Sequence, residues 1–309
     1  MEALPAALVE AIRSQVGDRA RPGEVLARHT SFRIGGPADL LVVPDTADEL
    51  AHVLSTATAF GVRVTLLGGG SNVLVGDGGM RGVVVKLGRG FGRIEWADPP
   101  ARVRAGAAVQ LGRLARESVS RGLAGLEYAE GIPGTVGGAL FMNAGAYGGE
   151  VAGVVEAVEG IDPASATPAE IAAPDLAFAY RRAALPRGFV VTAVRFHLRR
   201  DVAGGMRERM DEARTRRIAA QPHGHANAGS IFKNPRDDHA GRLIDQAGLK
   251  GAREGAAVIS QLHGNFIVNE GGATAVEVAA LIERARATVM HRFGIELERE
   301  VELVGKWEG

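Results

Sequence analysis

The sequence contains no cysteine, which excludes disulfide bonds, thiolate metal sites and cysteine nucleophiles. It also lacks any run of about 18 apolar residues, the length that a membrane-spanning helix requires. Its 36 basic and 36 acidic side chains cancel, so net charge favours neither nucleic acid nor an anionic membrane as a partner. The N-terminal stretch MEALPAALVEAIRSQVGD places acids within a helical pattern and lacks the basic start of a signal peptide. We therefore expect a cytoplasmic protein.

Hydrophobic residues are plentiful, at 46% of 309, and this length predicts two or three domains. The apolar spacing predicts a strand at 38–43, a helix from about Asp45 to Phe60 with Asp45 or Thr46 as its cap, and a strand at 62–67. The same spacing predicts later helices at 109–121, 203–219, 239–247 and 273–292, and a final strand at 295–304.

Glycine is abundant, with 43 residues, and the first cluster is the triplet Gly68–Gly70, followed by Ser71 and Asn72. A Rossmann fingerprint needs another glycine where Val73 stands, and a kinase-type phosphate loop needs Gly-Lys-Ser/Thr, so neither pattern is present. A backbone nest that binds a pyrophosphate and an ordinary tight turn both remain open.

A second glycine cluster lies within 125–150, and its part from Gly131 onward carries no charge before Glu150. Pro133 fixes a bend, and Thr135 and Asn143 supply polar side chains in an otherwise apolar loop. An uncharged loop of this kind is expected to be buried against something flat and apolar, which a flavin with its diphosphate would satisfy. The alternative is a glycine-rich turn packed on its own core.

The second half holds weaker candidates. Arg181 follows Tyr180, Ser230 precedes Lys233 and Asn234, and Glu300 lies on the polar face of an alternating segment. A surface cation, a turn serine and a solvated strand face would explain them equally well. His223 and His225 have metal-like spacing without an obvious third ligand, so no metal site is predicted.

Taken together, these stretches resemble the UDP-N-acetylenolpyruvoylglucosamine reductases (UDP-N-acetylmuramate dehydrogenases, the MurB family). They cover nearly the whole chain in order. Some members carry an extra loop with a tyrosine that closes over the substrate, but no tyrosine follows Tyr180 here, so the chain resembles the shorter, second type. The matching stretches are HTSFRIGGPAD (29–39), LGGGSNVLV (67–75), EGIPGTVGGALFMNAGAYGGE (130–150), YRRAAL (180–185), AGSIFKNP (228–235), GLKG (248–251) and LEREVELVG (297–305).

The resemblance implies an α+β fold with a two-lobed FAD-binding domain of the vanillyl-alcohol-oxidase (PCMH) type and a smaller α+β substrate-binding domain. It places the first FAD lobe at 1–81 with the strand at 293–309, the second lobe at 82–200 and the substrate-binding domain at 201–292. It also implies a monomer that acts on a UDP-sugar, with no nucleic-acid or membrane partner.

The activity implied by the resemblance is the reduction of the enolpyruvyl double bond of UDP-N-acetylglucosamine enolpyruvate to UDP-N-acetylmuramate, a step of peptidoglycan precursor synthesis. FAD, held non-covalently and reduced by NADPH, would pass a hydride from N5 to the substrate. Arg181 would stabilise the developing negative charge. Ser230 would donate the proton, and Glu300 would have to be neutral, with a raised pKa.

The resemblance also assigns binding residues. The predicted cofactor contacts are Arg33, Gly68, Gly69, Gly70, Ser71, Asn72, Gly131, Ile132, Pro133, Gly134, Thr135, Gly137, Gly138, Asn143, Ala144 and Gly145. The predicted substrate contacts are Tyr180, Lys233, Asn234, Lys250 and His263. Two other functions stay open: an FAD oxidase of the same superfamily acting on an alcohol or hydroxy acid, and a non-catalytic nucleotide-binding protein.

Overall fold

A computed structural model of the chain describes residues 4–97, 99, 101–163, 165–201 and 204–307. In this part of the chain, no helix is both long and apolar enough to cross a membrane. The α-helices are α1 (Ala6–Val16), α2 (Ala47–Ala59), α3 (Leu111–Ser120), α4 (Val136–Phe141), α5 (Met206–Ala220), α6 (Ala240–Gln246) and α7 (Ala275–Phe293).

The chain divides into two compact units that are interleaved in sequence. The first unit consists of the residues up to Pro22 together with Leu40–Gly69 and Gly82–Arg216. The second consists of Gly23–Asp39, Gly70–Arg81 and the residues from Arg217 onward. The boundaries of the two FAD lobes and the substrate-binding domain stay a prediction.

The first unit contains two principal sheets. Its strands are β1 (Ala20–Pro22), β2 (Ala38–Val42), β3 (Val64–Leu66), β5 (Met80–Val85), β6 (Ile94–Ala97), β7 (Arg102–Gly106), β8 (Leu123–Ala124), β9 (Gly145–Ala146), β10 (Gly149–Glu150), β11 (Val155–Ile161), β12 (Pro168–Ala172), β13 (Ala177–Ala179), β14 (Arg182–Ala184), β15 (Val190–His197) and β16 (Arg199–Arg200), while β4 (Val73–Val75) belongs to the second unit. In the larger sheet, antiparallel strands run in the order β12-β11-β15-β7-β6. In the smaller sheet, β3 pairs parallel with β5 in the order β1-β2-β5-β3. Three short pairs also occur, β8 with β16, β9 with β10 and β13 with β14.

Each sheet of the first unit has its own apolar core. Leu111 and Leu114 of α3 pack with Phe196 of β15 in one core. Leu8 of α1 and Leu50 of α2 pack with strand residues of the smaller sheet in the other. These helices bury one side only, so the 3.6-residue spacing of their apolar residues reflects this packing.

The second unit is built around α7. Its Val278, Leu281 and Ile282 are fully buried in a core that also takes Phe32 and Leu74 from the two earlier segments. Its later strands are β17 (Arg253–Glu254), β18 (Ala257–Ile259), β19 (Ile267–Asn269) and β20 (Glu302–Val304). The C-terminal strand β20 pairs parallel with β4. The other three form an antiparallel sheet in the order β17-β18-β19.

The helix predicted from about Asp45 to Phe60 is α2, and Thr46 is its cap, since the Thr46 side chain accepts from the Glu49 amide at 3.1 Å. The strand predicted at 295–304 is wrong in length. Only Glu302–Val304 forms a ladder, while the preceding residues meet a neighbouring segment through one isolated bridge between Phe232 and Arg299. Alternating polarity indicates an extended chain but not the length of its pairing.

Candidate active site

The glycine loop, residues 68–72, begins in the first unit, where it runs against the second glycine cluster. A Cβ atom built on Gly69 would lie 2.8 Å from the Cα of Gly134, and one on Gly68 would lie 3.2 Å from the hydroxyl of Thr135. The predicted glycine clusters therefore meet backbone to backbone. A side chain on Gly69 would separate them.

The glycine loop continues into the second unit at Gly70. This residue has φ 65°, and a Cβ there would overlap the carbonyl oxygen of His29. The carbonyl of Gly70 accepts from the Ser31 amide at 2.9 Å. Part of the requirement for glycine in the triplet thus comes from the protein's own backbone, as expected for a tight turn.

The glycine loop also presents donors that suit an anionic ligand. Among the hydrogen bonds of the described residues, the amides of Gly68, Gly69 and Gly70 have no acceptor, although Gly70 is buried. A buried amide without an acceptor is rare in proteins. Successive amides of this kind form a nest for phosphate oxygens. The residues present therefore fit the pyrophosphate of FAD.

Glycines of the second cluster allow close packing around α4. Gly131 and Gly134 have positive φ, 76° and 111°. Thr135 caps α4 by accepting from the Gly138 amide. A Cβ on Gly137 would lie 3.0 Å from the Cβ of Ala107. This cluster therefore serves its own packing as well as any ligand, and its predicted contacts with FAD stay a prediction.

Arg181 lies at the tip of the hairpin formed by β13 and β14. Ala179 pairs with Arg182, so Tyr180 and Arg181 are the two loop residues. Arg181 has φ 58°, a left-handed conformation that costs a non-glycine residue about 1–2 kcal/mol. Its guanidinium carbon lies 4.9 Å from the centroid of the Tyr180 ring, and Tyr180 is half exposed.

In the second unit, Ser230 and Glu300 lie on adjoining segments. The amide of Glu300 donates to the carbonyl of Ile231 at 2.8 Å, and the amide of Lys233 donates to the carbonyl of Glu298 at 2.8 Å. Both predicted catalytic side chains are half-buried. The structure thus brings these two predicted residues onto neighbouring backbone.

Asn72, the last residue of the glycine loop, is hydrogen-bonded to the segment that contains Glu300. Its side-chain amide donates to the carbonyl of Glu300 at 2.9 Å, and the amide of Glu302 donates to the carbonyl of Asn72 at 3.0 Å. The prediction that Asn72 binds the cofactor stays untested. Its contact with the Glu300 main chain was not anticipated.

Sequence reasoning missed two side chains that shape the Ser230 segment. The hydroxyl of Ser31 donates to the carbonyl of Asn227 at 2.6 Å. The buried amide of Asn265 accepts from the Phe232 amide at 2.9 Å and donates to the Phe232 carbonyl at 2.8 Å. Ser31 lies within the matching stretch at 29–39, which was the available signal, whereas Asn265 lies outside every matching stretch.

Three of the predicted substrate-binding residues are basic, and both lysines among them form ion pairs within the protein. Lys233 pairs with Glu298, and Lys250 pairs with Asp245 at 2.7 Å. Burial and the nearby charge of Lys250 lower the pKa of His263, which favours the neutral imidazole. Its Nδ1 accepts from the Asn265 amide at 3.2 Å.

Two further predicted binding residues, Asn234 and Arg33, differ in their local structure. The side-chain oxygen of Asn234 accepts from the first amide of α6, that of Ala240, at 3.1 Å. Arg33 is exposed with φ 55°, between the buried residues Phe32 and Ile34. Such backbone strain is often found at functional sites.

Comparisons with known proteins identify the domains and the family. A family model described as an FAD binding domain matches residues 38–166, and one described as the C-terminal domain of UDP-N-acetylenolpyruvoylglucosamine reductase matches 221–304. The UDP-N-acetylenolpyruvoylglucosamine reductase 2 of Symbiobacterium thermophilum is 46% identical over 96% of this chain and 97% of its own length. The chain belongs to the UDP-N-acetylenolpyruvoylglucosamine reductase family.

Two other members of the family extend this result. The reductase of Bacillus subtilis is 38% identical over 96% of this chain and 98% of its own length. The crystal structure of the reductase (MurB) from Thermus caldophilus aligns with a TM-score of 0.81 and 38% identity, covering 92% of this chain and 98% of that one. The resemblance read from the sequence is confirmed, as is the fold class with its FAD-binding domain.

Proposed function

We propose that the chain reduces UDP-N-acetylenolpyruvoylglucosamine to UDP-N-acetylmuramate in peptidoglycan precursor synthesis, with FAD as its cofactor and NADPH as the reductant. The observation that carries this proposal is the match over nearly the full length to proteins of that name, at 46% identity for one of them. The meeting of the two glycine clusters at Gly69 and Gly134 supports the cofactor assignment.

The glycine loop would hold the pyrophosphate of FAD through the amides of Gly68–Gly70. Once bound and reduced by NADPH, FAD would supply the hydride that adds to the terminal carbon of the enolpyruvyl double bond. We propose non-covalent binding, as the resemblance implies. The other predicted cofactor contacts, among them Arg33 and Ser71 but not Asn143, belong to the same proposal.

The roles of the chain's own side chains follow from the charge that develops on the substrate. Hydride addition leaves negative charge on the neighbouring carbon and its carboxylate, and the fixed positive charge of Arg181 would stabilise it. The Ser230 hydroxyl would donate a proton to that carbon, a transfer that a weak acid can make to a strong base within hydrogen-bond reach. A neutral Glu300 would add no opposing charge, so its ionisation at higher pH should slow this step.

The substrate contacts, the cellular location and the oligomeric state are proposed from the resemblance to the family. Tyr180, Lys233, Asn234, Lys250 and His263 would contact the UDP-sugar. We propose that the protein acts in the cytoplasm as a monomer, without nucleic-acid or membrane partners. Equal numbers of basic and acidic side chains support the last point.

An anaerobic titration tests the function. The purified protein should show flavin absorbance that NADPH bleaches and that the enolpyruvyl substrate restores. A colourless protein that takes up no FAD would contradict the proposal. A flavin that is bleached by an alcohol or hydroxy acid, and not by NADPH, would indicate an oxidase instead.

The substitution Ser230→Ala tests the proton donor in the same titration. NADPH should bleach the flavin of this variant as in the unaltered protein, while reoxidation by the enolpyruvyl substrate should slow roughly 100-fold or more, the scale of general acid catalysis. Ser55→Ala is the matched control, because the Ser55 hydroxyl is exposed and donates to the carbonyl of His52 in its own helix at 3.1 Å. Undiminished turnover by Ser230→Ala would refute the role.

A further inference from the structure

The hairpin of β13 and β14 holds Arg181 with little structure of its own. It consists of three residue pairs, Ala177 with Ala184, Phe178 with Ala183 and Ala179 with Arg182. A hairpin this short is marginal in water by itself, and Arg181 adds the cost of its left-handed φ. The position of the Arg181 backbone therefore depends on contacts that fix the hairpin from outside.

The Asn143 side chain makes such a contact within the first unit. Its Nδ2 donates to the carbonyl of Ala179, the last residue of β13, at 3.1 Å. The same nitrogen donates to Oε2 of Glu150 at 3.1 Å, and Oδ1 accepts from the Ala152 amide at 3.0 Å. Asn143 is almost fully buried, with 1% of its surface exposed. Both ends of the carboxamide are thus used within the protein.

The backbone conformation of Asn143 also favours asparagine over most other residues at this position. Its φ of 40° is a conformation that asparagine tolerates better than most residues, because its short polar side chain bonds locally. The segment that follows is closed by β9 and β10, in which Gly145 pairs with Glu150. The carboxamide therefore connects a constrained loop to the hairpin two residues before Arg181.

We propose that Asn143 is a positioning residue for Arg181, and that it acts by anchoring the hairpin through the Ala179 carbonyl. This inference rests on the proposed function for its catalytic consequence, but the anchoring itself does not. Removal of the Asn143 donor leaves the carbonyl of Ala179 without this hydrogen bond. A small displacement of a positioned group is enough to slow catalysis about 100-fold.

Two substitutions separate this role from general destabilisation. Asn143→Asp keeps the size, the tolerance of positive φ and the acceptor for Ala152, but replaces the donor to Ala179 and Glu150 with an oxygen and sets a like charge beside Glu150. Asn143→Gly removes the side chain and still accommodates the backbone. Glu150→Gln is the matched control, since it retains an acceptor for Nδ2 and leaves the contact with Ala179 in place.

The first measurement is hydrogen exchange in the FAD-loaded protein, which needs no substrate. Peptides that cover 177–184 should exchange at least 10-fold faster in both Asn143 variants and at the original rate in Glu150→Gln, while peptides of α2 remain unchanged in all three. Unchanged protection of the hairpin in both Asn143 variants would overturn the proposal. Loss of bound FAD from both would also overturn it, because Asn143 would then serve the cofactor.

The second measurement is a double-mutant cycle with Arg181→Ala, which keeps a Cβ at the same backbone position. Asn143→Asp should lower kcat/KM for the enolpyruvyl substrate at least 10-fold alone and have little further effect with Arg181→Ala, since residues that act through one another are not additive. Flavin reduction by NADPH should stay within about 2-fold of the original rate. Equal losses in both backgrounds would contradict the proposal. If the unaltered protein fails to reduce the substrate, the proposed function fails and hydrogen exchange alone decides the anchoring.

Discussion

Glycine is needed at position 69 because a side chain there would collide with the backbone of Gly134. This steric requirement can be tested separately from the conformational freedom of glycine. Gly69→Ala places a methyl group 2.8 Å from the Cα of Gly134, and backbone on that side cannot rotate away. We expect the free energy of unfolding to fall by about 1–3 kcal/mol, the usual cost of overpacking, and the bound FAD to decrease. Thermal unfolding and the ratio of flavin to protein absorbance measure both effects.

A control for Gly69→Ala is available in the same unit. Gly153 is exposed, and a Cβ built there has nothing within 4 Å. Gly153→Ala should leave both the unfolding temperature and the FAD content unchanged. If the two variants behaved alike, the close approach of the glycine clusters would not be the reason for Gly69.

The sequence indicates which residues belong to the candidate site better than it indicates what each of them contacts. Asn143 stands in a matching stretch, and the resemblance assigns it to the cofactor, but only coordinates show its bond to Ala179, 36 positions away. Asn265 gave no signal, because a buried asparagine is recognised by the backbone groups around it. Such contacts depend on the folded chain, which the order of residues along one segment does not specify.

At the scale of single elements, α2 is the clearest success of sequence reasoning. Its apolar spacing and the Thr46 cap specify the helix locally. The β13–β14 hairpin is the opposite case, because its second loop residue is Arg181 with φ 58°, where turn rules expect glycine or asparagine. The strand expected at 295–304 was too long because polarity alternates equally well in unpaired extended chain.

The start of α2 also carries a pH-dependent contact. Glu49 accepts from both terminal nitrogens of Arg19, at 2.7 and 2.6 Å, and from the Asp45 amide at 2.7 Å. The hydrogen bonds from Arg19 are the main cause that lowers the pKa of Glu49 to about 2. This carboxylate stabilises the fold only while it is ionised.

We expect Glu49→Gln to lower the free energy of unfolding by about 1–2 kcal/mol at neutral pH, as for hydrogen bonds to charged groups in a half-exposed site. Because the folded pKa lies below the unfolded one, this contribution is complete above the unfolded value of about 4.3 and disappears as pH falls toward 2. Urea unfolding of both proteins between pH 7 and pH 3 measures the difference. A difference that grew with acid would contradict this account.

At the scale of the whole molecule, the family model that matches 221–304 does not correspond to a self-sufficient unit. The core around α7 includes Phe32, Ile34 and Leu74 from earlier segments, and β20 pairs with β4. We expect the fragment 221–309 alone to lack cooperative unfolding in urea and to show poor dispersion of amide chemical shifts. Unfolding at the midpoint of the full chain would show that the earlier segments are dispensable.

The pairing of β20 with β4 also bears on how the protein is made. Asn72 and Glu300, which are hydrogen-bonded beside that pair, are 228 positions apart. A ribosome adds about 5–20 residues per second, so β4 waits many seconds for its partner after it has been synthesised. During translation the second unit must therefore remain incomplete, with Phe32 and Leu74 exposed, until the last residues emerge. Nascent chains of this protein should depend on chaperones more than its modest size suggests.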